Sequence, residues 1–251
     1  MHHSVPVEDM TTDGGLLLVL AVLVPFVAVL AGLILGGRHA QRVALATLLP
    51  GLGLAIAIAD ALVRSGDTLV YLLGGWVPPL GVALRADGLA AVMLVITAVV
   101  ICGIAVYALA DFRTPPGVGE ARAPLVFWML LLAVWGSLNL VFVSGDLFTL
   151  YVALELLTFA AVPLVCLDGR GETLRAALRY VLFALLGSML YLLGVVLLYG
   201  AYGTLDIALL ATRVRPESVA WAAAALMTSI ASHGGTTMSA AFTFSGKSLK
   251  C

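Results

Sequence analysis

The sequence predicts an all-α membrane protein of six transmembrane helices and part of a seventh. Three observations carry that reading. Of its 251 residues, 62% are hydrophobic and 11% are charged, against about a quarter charged in soluble domains. Mean hydropathy is +1.12. The apolar residues fall in runs of about 20, the length a helix needs to cross a hydrocarbon core about 30 Å thick, and most charges collect between the runs.

Residues 1–13 are polar and acidic (Glu8, Asp9, Asp13), and Leu16–Leu35 is the first span, followed by Arg38 and Arg42. A secretory signal peptide carries its positive charge in front of the apolar run. The opposite polarity here reads as a membrane helix with its N-terminus outside. Gly32 and Gly36 form a G-x-x-x-G, a spacing that allows a close helix contact, although glycines near a helix end are more often incidental. The second span runs from about Val43 to Val63, with Asp60 and Arg64 four apart for a local ion pair. In the outer loop 65–87, Gly74-Gly75-Trp76-Val77-Pro78-Pro79 combines turn residues with an interfacial tryptophan. The third span, Gly88 to Ala110, holds Cys102 as an apolar filler. Together residues 14–110 make a first three-helix segment.

A second segment, 111–228, opens with the charged, proline-bearing connection Asp111 to Ala123. The fourth span follows from Pro124 to Val143, with Asn139 placed for an interhelical hydrogen bond. Ser144-Gly145-Asp146 is a very short turn, which predicts spans four and five as antiparallel neighbours. The fifth span continues to Leu167. Its Pro163 removes the backbone bond to the carbonyl of Phe159 and predicts a kink. After the charged loop Asp168-Gly169-Arg170-Gly171-Glu172 comes the sixth span, Leu174 to Tyr199. Arg175 and Arg179 share one face at its start, where they read as snorkelling anchors; the alternative has Arg179 projecting toward the fifth helix as a source of positive charge. Arginines Arg38, Arg42, Arg113, Arg122, Arg170, Arg175 and Arg179 fall on one side of the membrane, against Arg64, Arg85, Arg213 and Arg215 on the other, which by the positive-inside bias puts the N-terminus outside.

One carboxylate breaks an apolar run. Glu155 lies nine residues past Asp146, which at helical rise carries it roughly 13 Å inward, near the bilayer midplane. An ionisable group at that depth costs a few kcal/mol unless it meets a partner or a water-filled cavity, and it reads as part of a proton or ion pathway. The plainer alternative is a protonated glutamate packed between helices as a hydrogen-bonding side chain.

Several classes are excluded. A net charge of −1 with sparse arginines leaves no basic stripe to follow a phosphate backbone, so nucleic acid is not an expected partner. Cys102, Cys166 and Cys251 lie far apart, as do His2, His3, His39 and His233. No disulfide framework, metal site or iron–sulfur set is implied, and no nucleotide-binding fingerprint is present. No cofactor is expected, and no catalytic redox site.

The seventh apolar run begins near Val219. After Thr228 the composition turns abruptly to serine, threonine and glycine, with the only lysines of the chain, Lys247 and Lys250. A run of about a dozen apolar residues is too short to span. The polar tail 229–251 is read as the product of a frame change or broken gene, with a native tail as the alternative.

The run Leu73-Gly74-Gly75-Trp76-Val77-Pro78-Pro79-Leu80-Gly81-Val82 with Ala86-Asp87-Gly88-Leu89-Ala90-Ala91 resembles the proton-conducting antiporter-like subunits. These are shared by the membrane arm of respiratory complex I (NADH:quinone oxidoreductase) and the Mrp-type multisubunit cation/proton antiporters. Gly145-Asp146-Leu147-Phe148-Thr149-Leu150-Tyr151-Val152-Ala153-Leu154-Glu155 looks closest to the D-type subunit of the Mrp antiporters. Ala176-Ala177-Leu178-Arg179-Tyr180, Leu186-Gly187-Ser188, Leu198-Tyr199-Gly200 and Gly203-Thr204-Leu205 continue the likeness, which covers about Leu16 to Thr228.

The resemblance implies the N-terminal part of a bundle of about fourteen helices built on two inverted repeats with broken helices. It implies a proton path through a fifth-helix glutamate, matched by Glu155, and a seventh-helix lysine due soon after Met227-Thr228, where this sequence departs from the pattern. Asp146, at the head of the glutamate motif, and Arg179 join Glu155 as candidate site residues. The implied function is a proton/monovalent-cation translocating subunit of an Mrp-type antiporter, apparently truncated. The alternatives are a proton-pumping membrane-arm subunit of an NADH:quinone oxidoreductase, enzymatic only by membership, and an inactive fragment of either. Implied partners are other membrane subunits, the lipid bilayer, protons and sodium, in a bacterial plasma membrane.

Overall fold

A computed structural model of the chain describes residues 12, 14–76, 81–111, 122–215 and 217–228. Most of the polar N-terminus, residues 77–80, the connection 112–121 and the tail 229–251 lie outside the described residues. Among the described residues six helices are long and apolar enough to cross a membrane, and the chain is an integral membrane protein. They are α1 (Leu16–Leu35), α2 (Gly37–Ser65), α3 (Gly88–Asp111), α4 (Arg122–Val143), α5 (Leu147–Val165) and α6 (Gly171–Tyr202). A short α7 (Ile207–Arg213) and a short apolar helix, α8 (Ser218–Thr228), follow. The expected spans are all present. α2 and α6 run longer than the expected spans, so that Arg42 is the sixth residue of α2 and Arg175 and Arg179 are the fifth and ninth residues of α6.

The chain divides into two compact units, Met1–Leu164 and Val165–Cys251. In the first, α1 packs on α2 and α4, α2 packs on α3 and α4, and α3 packs on α4. α4 is the centre of this bundle: 56% of its apolar stretch is buried, against 33% for α2 and α3. Glycines facing bulky side chains bring the helices together. A Cβ on Gly32 or Gly51 would collide with Met129 or Trp135 of α4, and one on Gly136 of α4 would stand 3.0 Å from the ring of Phe26. Gly32, first half of the G-x-x-x-G, thus serves a helix contact, while Gly36 ends α1 at φ +71°. Outward faces such as Val92, Ile96, Val99 and Val106 of α3 stay exposed, as an apolar surface solvated by lipid does. Arg64 Nε meets Asp60 at 2.9 Å; both are exposed, and such a pair contributes little.

α5 departs from expectation. The three-residue turn after α4 does not lay the two spans side by side, and α5 has no extended packing on α1 to α4. Only 17% of its apolar stretch is buried.

The connection between α2 and α3 holds a two-stranded antiparallel hairpin that the turn residues alone did not predict. β1 (Leu69–Leu72) and β2 (Ala83–Ala86) pair with Leu69 opposite Ala86 and Leu72 opposite Ala83. Gly74 and Gly75 hold φ +69° and +72° where the chain leaves β1, a conformation glycine adopts without steric cost. Thr12 adds a further edge contact: its N–H donates to Val70 O at 3.0 Å and its Oγ1 accepts from Val70 N–H at 2.9 Å.

In the second unit, α6 begins after a left-handed Gly169 and ends at a left-handed Gly203. Gly194 of α6 leaves room for Met227 and the Ala223 carbonyl of α8. Asp206 caps α7, its Oδ1 accepting from Leu209 N–H at 2.9 Å.

Candidate functional site

Glu155 sits near the middle of α5, eight residues after Leu147 and ten before Val165. At 1.5 Å per residue that is about 12 Å from one end and 15 Å from the other. Its side chain is half-buried. Helical spacing puts Tyr151, Val152, Thr158 and Phe159 on its face. Thr158 turns its hydroxyl back onto the helix, donating to Leu154 O at 3.0 Å. α5 continues past Pro163 to Val165.

Asp146 starts the helix. Its Oδ1 accepts from Thr149 N–H at 2.7 Å and its Oδ2 accepts from the Thr149 hydroxyl at 2.6 Å, while its carbonyl takes the first helical bond, from Leu150 N–H. This is an N-cap with both carboxylate oxygens engaged at the positive end of the helix. The D-x-x-T spacing is its signal in the sequence, and it points to Thr149 as the partner.

The turn that carries Asp146 is tied to the hairpin. Ser144 pairs with Leu84 and Gly145 N–H donates to Ala83 O at 3.0 Å. A Cβ on residue 145 would lie 2.5 Å from that carbonyl oxygen. Local sequence cannot announce such a contact, since Ala83 and Gly145 are joined only through the fold.

Arg179 lies in the second unit, eight residues into α6, and is exposed, as is Arg175 one turn before it. Within the first unit Asp146 and Glu155 share one helix two and a half turns apart, so the cap and the mid-span carboxylate are separate features. Among the described residues no three His, Cys, Asp or Glu side chains gather as a metal centre requires.

This is a polytopic helical membrane protein with one span, α5, carrying a carboxylate midway along its length. Residues 144–247 match the family model described as "NADH:quinone oxidoreductase/Mrp antiporter, TM". That range includes the Asp146–Glu155 motif and runs past Thr228. The chain is 34% identical over 142 residues to the D subunit of a Na(+)/H(+) antiporter of Bacillus subtilis, covering 57% of this chain and 28% of that protein. It is 39% identical over 175 residues to the N subunit of an NADH-quinone oxidoreductase of Desulforudis audaxviator, covering 69% of this chain and 33% of that one. Among solved structures, a chain of the Mrp complex from Dietzia sp. matches with a TM-score of 0.66 at 26% identity, over 84% of this chain and 40% of its own. The resemblance to antiporter-like membrane subunits drawn from the sequence therefore holds, and residues 144–247 match the transmembrane region of that family. The chain spans about a third of the length of the curated relatives it matches.

Proposed function

We propose that this chain acts as a proton/monovalent-cation translocating subunit of a multisubunit Mrp-type cation/proton antiporter, with Glu155 as its proton-carrying group. The observation that carries the proposal is a lone carboxylate at half depth on α5, a helix whose motif lies in the matched family region. Burial alone raises a carboxylate's proton affinity and a nearby cation lowers it. Moving or neutralising such a cation would let Glu155 take up and release a proton. Arg179, exposed near the start of α6, serves as a snorkelling anchor, with a source of positive charge as its alternative role. Asp146 acts upstream by fixing the first turn of α5. The partners are further membrane subunits, and the ions are protons and sodium. The chain sits in a bacterial plasma membrane with its N-terminus outside, supported by the arginine distribution.

A second reading, a membrane-arm subunit of an NADH:quinone oxidoreductase, draws on the 39% identity to the N subunit of such an enzyme. Redox chemistry would then belong wholly to partner proteins.

The test is complementation of a bacterium lacking its sodium/proton antiporters by this chain expressed with the subunits encoded beside it. Growth in high sodium that Glu155→Gln abolishes is the expected result. Equal growth with Glu155→Gln sinks the assignment of the proton group, and NADH-linked proton pumping without sodium tolerance moves the protein to the second reading.

A further inference from the structure

We propose that the β1–β2 hairpin is a clamp that sets the axial position of α5, with Gly145 as the positioning residue; this rests on Glu155 being the proton-carrying group.

β2 meets the turn between α4 and α5 at two adjacent points, the Leu84–Ser144 pairing and the Gly145 N–H to Ala83 O bond at 3.0 Å. The fit at residue 145 leaves no room for a side chain. A Cβ there would stand 2.5 Å from Ala83 O and 3.2 Å from Ala83 C, both backbone atoms that cannot swing aside like the tip of a flexible side chain. β2 cannot yield easily either. Its other edge is paired along its length with β1, and Ala83 and Ala86 are 2% and 0% exposed.

The next residue makes the joint stiff. Asp146 engages Thr149 through both carboxylate oxygens, so the first turn of α5 moves as one piece with the turn that Gly145 fixes. A hydrogen-bonded helix passes an axial displacement along its length, and Glu155 is roughly 13 Å away. Beyond that end α5 has no extended packing on α1 to α4. Within the first unit the clamp is therefore the main restraint on how deep Glu155 lies, and a site for proton transfer depends on placement to well under one helical rise.

The purified full chain in lipid vesicles, with Cys102, Cys166 and Cys251 changed to serine and Phe159→Cys carrying a nitroxide, reads the position of α5 directly. Phe159 is 63% exposed and lies one turn beyond Glu155. Relative collision rates with oxygen and a nickel chelate report the label's depth. Gly145→Val should shift that depth by about one residue's rise, ~1.5 Å, with helical content and melting temperature kept. Gly103→Val, at a position in α3 with open space around it, should shift nothing. If Gly145→Val does not insert, Gly145→Ala brings the same clashing atom in a smaller residue and should move the label in the same direction. An unchanged label depth in a folded Gly145 variant overturns the clamp, whatever the flux. A shifted label together with full flux in Glu155→Gln upholds the clamp and overturns the proton assignment it serves.

Discussion

Asn139 of α4 donates its side-chain amide to the carbonyl of Ala21 in α1 at 2.7 Å. That carbonyl is the one that Pro25, four residues later in α1, cannot serve because proline has no N–H. The interhelical bond expected of Asn139 thus has a specific purpose, to satisfy an acceptor that a buried proline leaves open in a medium without water. Asn139 is 5% exposed, so the bond is made in the interior of the bundle.

Removing the amide should cost about 1 kcal/mol, the usual scale for polar contacts between membrane helices. Asn139→Leu is expected to lower the melting temperature of the detergent-solubilised chain. In a Pro25→Ala background residue 25 regains an N–H that can bond Ala21 O within α1, and Asn139→Leu should then cost less. The double-mutant cycle reads the difference; strictly additive losses would show that the proline and the asparagine are unrelated.

Gly51 and Gly53, two residues apart in α2, should respond oppositely to alanine. A Cβ on Gly51 meets the ring of Trp135, which is 1% exposed and rigid, whereas one on Gly53 meets nothing within 4 Å. Gly51→Ala is expected to destabilise by about 1–3 kcal/mol through overpacking. Gly53→Ala should be neutral or stabilising by up to about 1 kcal/mol, because alanine is the better helix former. Comparing the two melting curves suffices, and equal effects would mean that the α2–α4 contact is not as tight as the geometry has it.

For Asp146, Ala substitution should cost about 1 kcal/mol as the loss of an N-cap. Asp146→Asn retains an acceptor for the Thr149 N–H and should recover most of that loss. Thermal melting measures both. If Asp146 also passes protons, Asp146→Asn will depress cation-driven flux while keeping its stability; flux kept at the wild-type level confines it to capping.

How much of this was legible in the residues differs by feature. The spans were readable because each apolar run ends at charges or glycine, as Leu35 does before Gly36 and Arg38, and lipid imposes length directly. The hairpin was not. Leu69–Leu72 is four residues long, too short for an alternating pattern to separate a strand from a loop, and its partner Ala83–Ala86 carries no β-branched residue. The place of Glu155 midway along its helix followed from counting, and the interhelical bond of Asn139 from an amide side chain set in an apolar span. Which carbonyl Asn139 would meet did not, although Pro25 marked the vacated acceptor. The departure of α5 from the bundle also lay beyond reach, since a three-residue turn fixes that two helices are consecutive and says little about how far they splay. Gly145 shows the general limit. Its glycine looked like an ordinary turn residue until the fold brought Ala83 against it.

Glu155→Gln separates the two readings of the mid-span carboxylate. Glutamine keeps the size and the hydrogen-bonding capacity of a protonated glutamate but cannot exchange the proton. If the side chain only packs, Glu155→Gln will melt and transport like the wild type. If it carries protons, stability should be unchanged or raised, because an ionised group at that depth costs at least a few kcal/mol, while flux driven by a pH step falls at least tenfold. Glu155→Asp, shorter by one methylene, retains a titratable group and should keep a reduced flux, since proton transfer survives only while donor and acceptor stay within hydrogen-bond reach or one water. Dye-reported acidification of vesicles holding the subunit with its partners distinguishes these outcomes. Full flux in Glu155→Gln would leave the carboxylate a packing group and shift the search for the proton path to other elements of the chain.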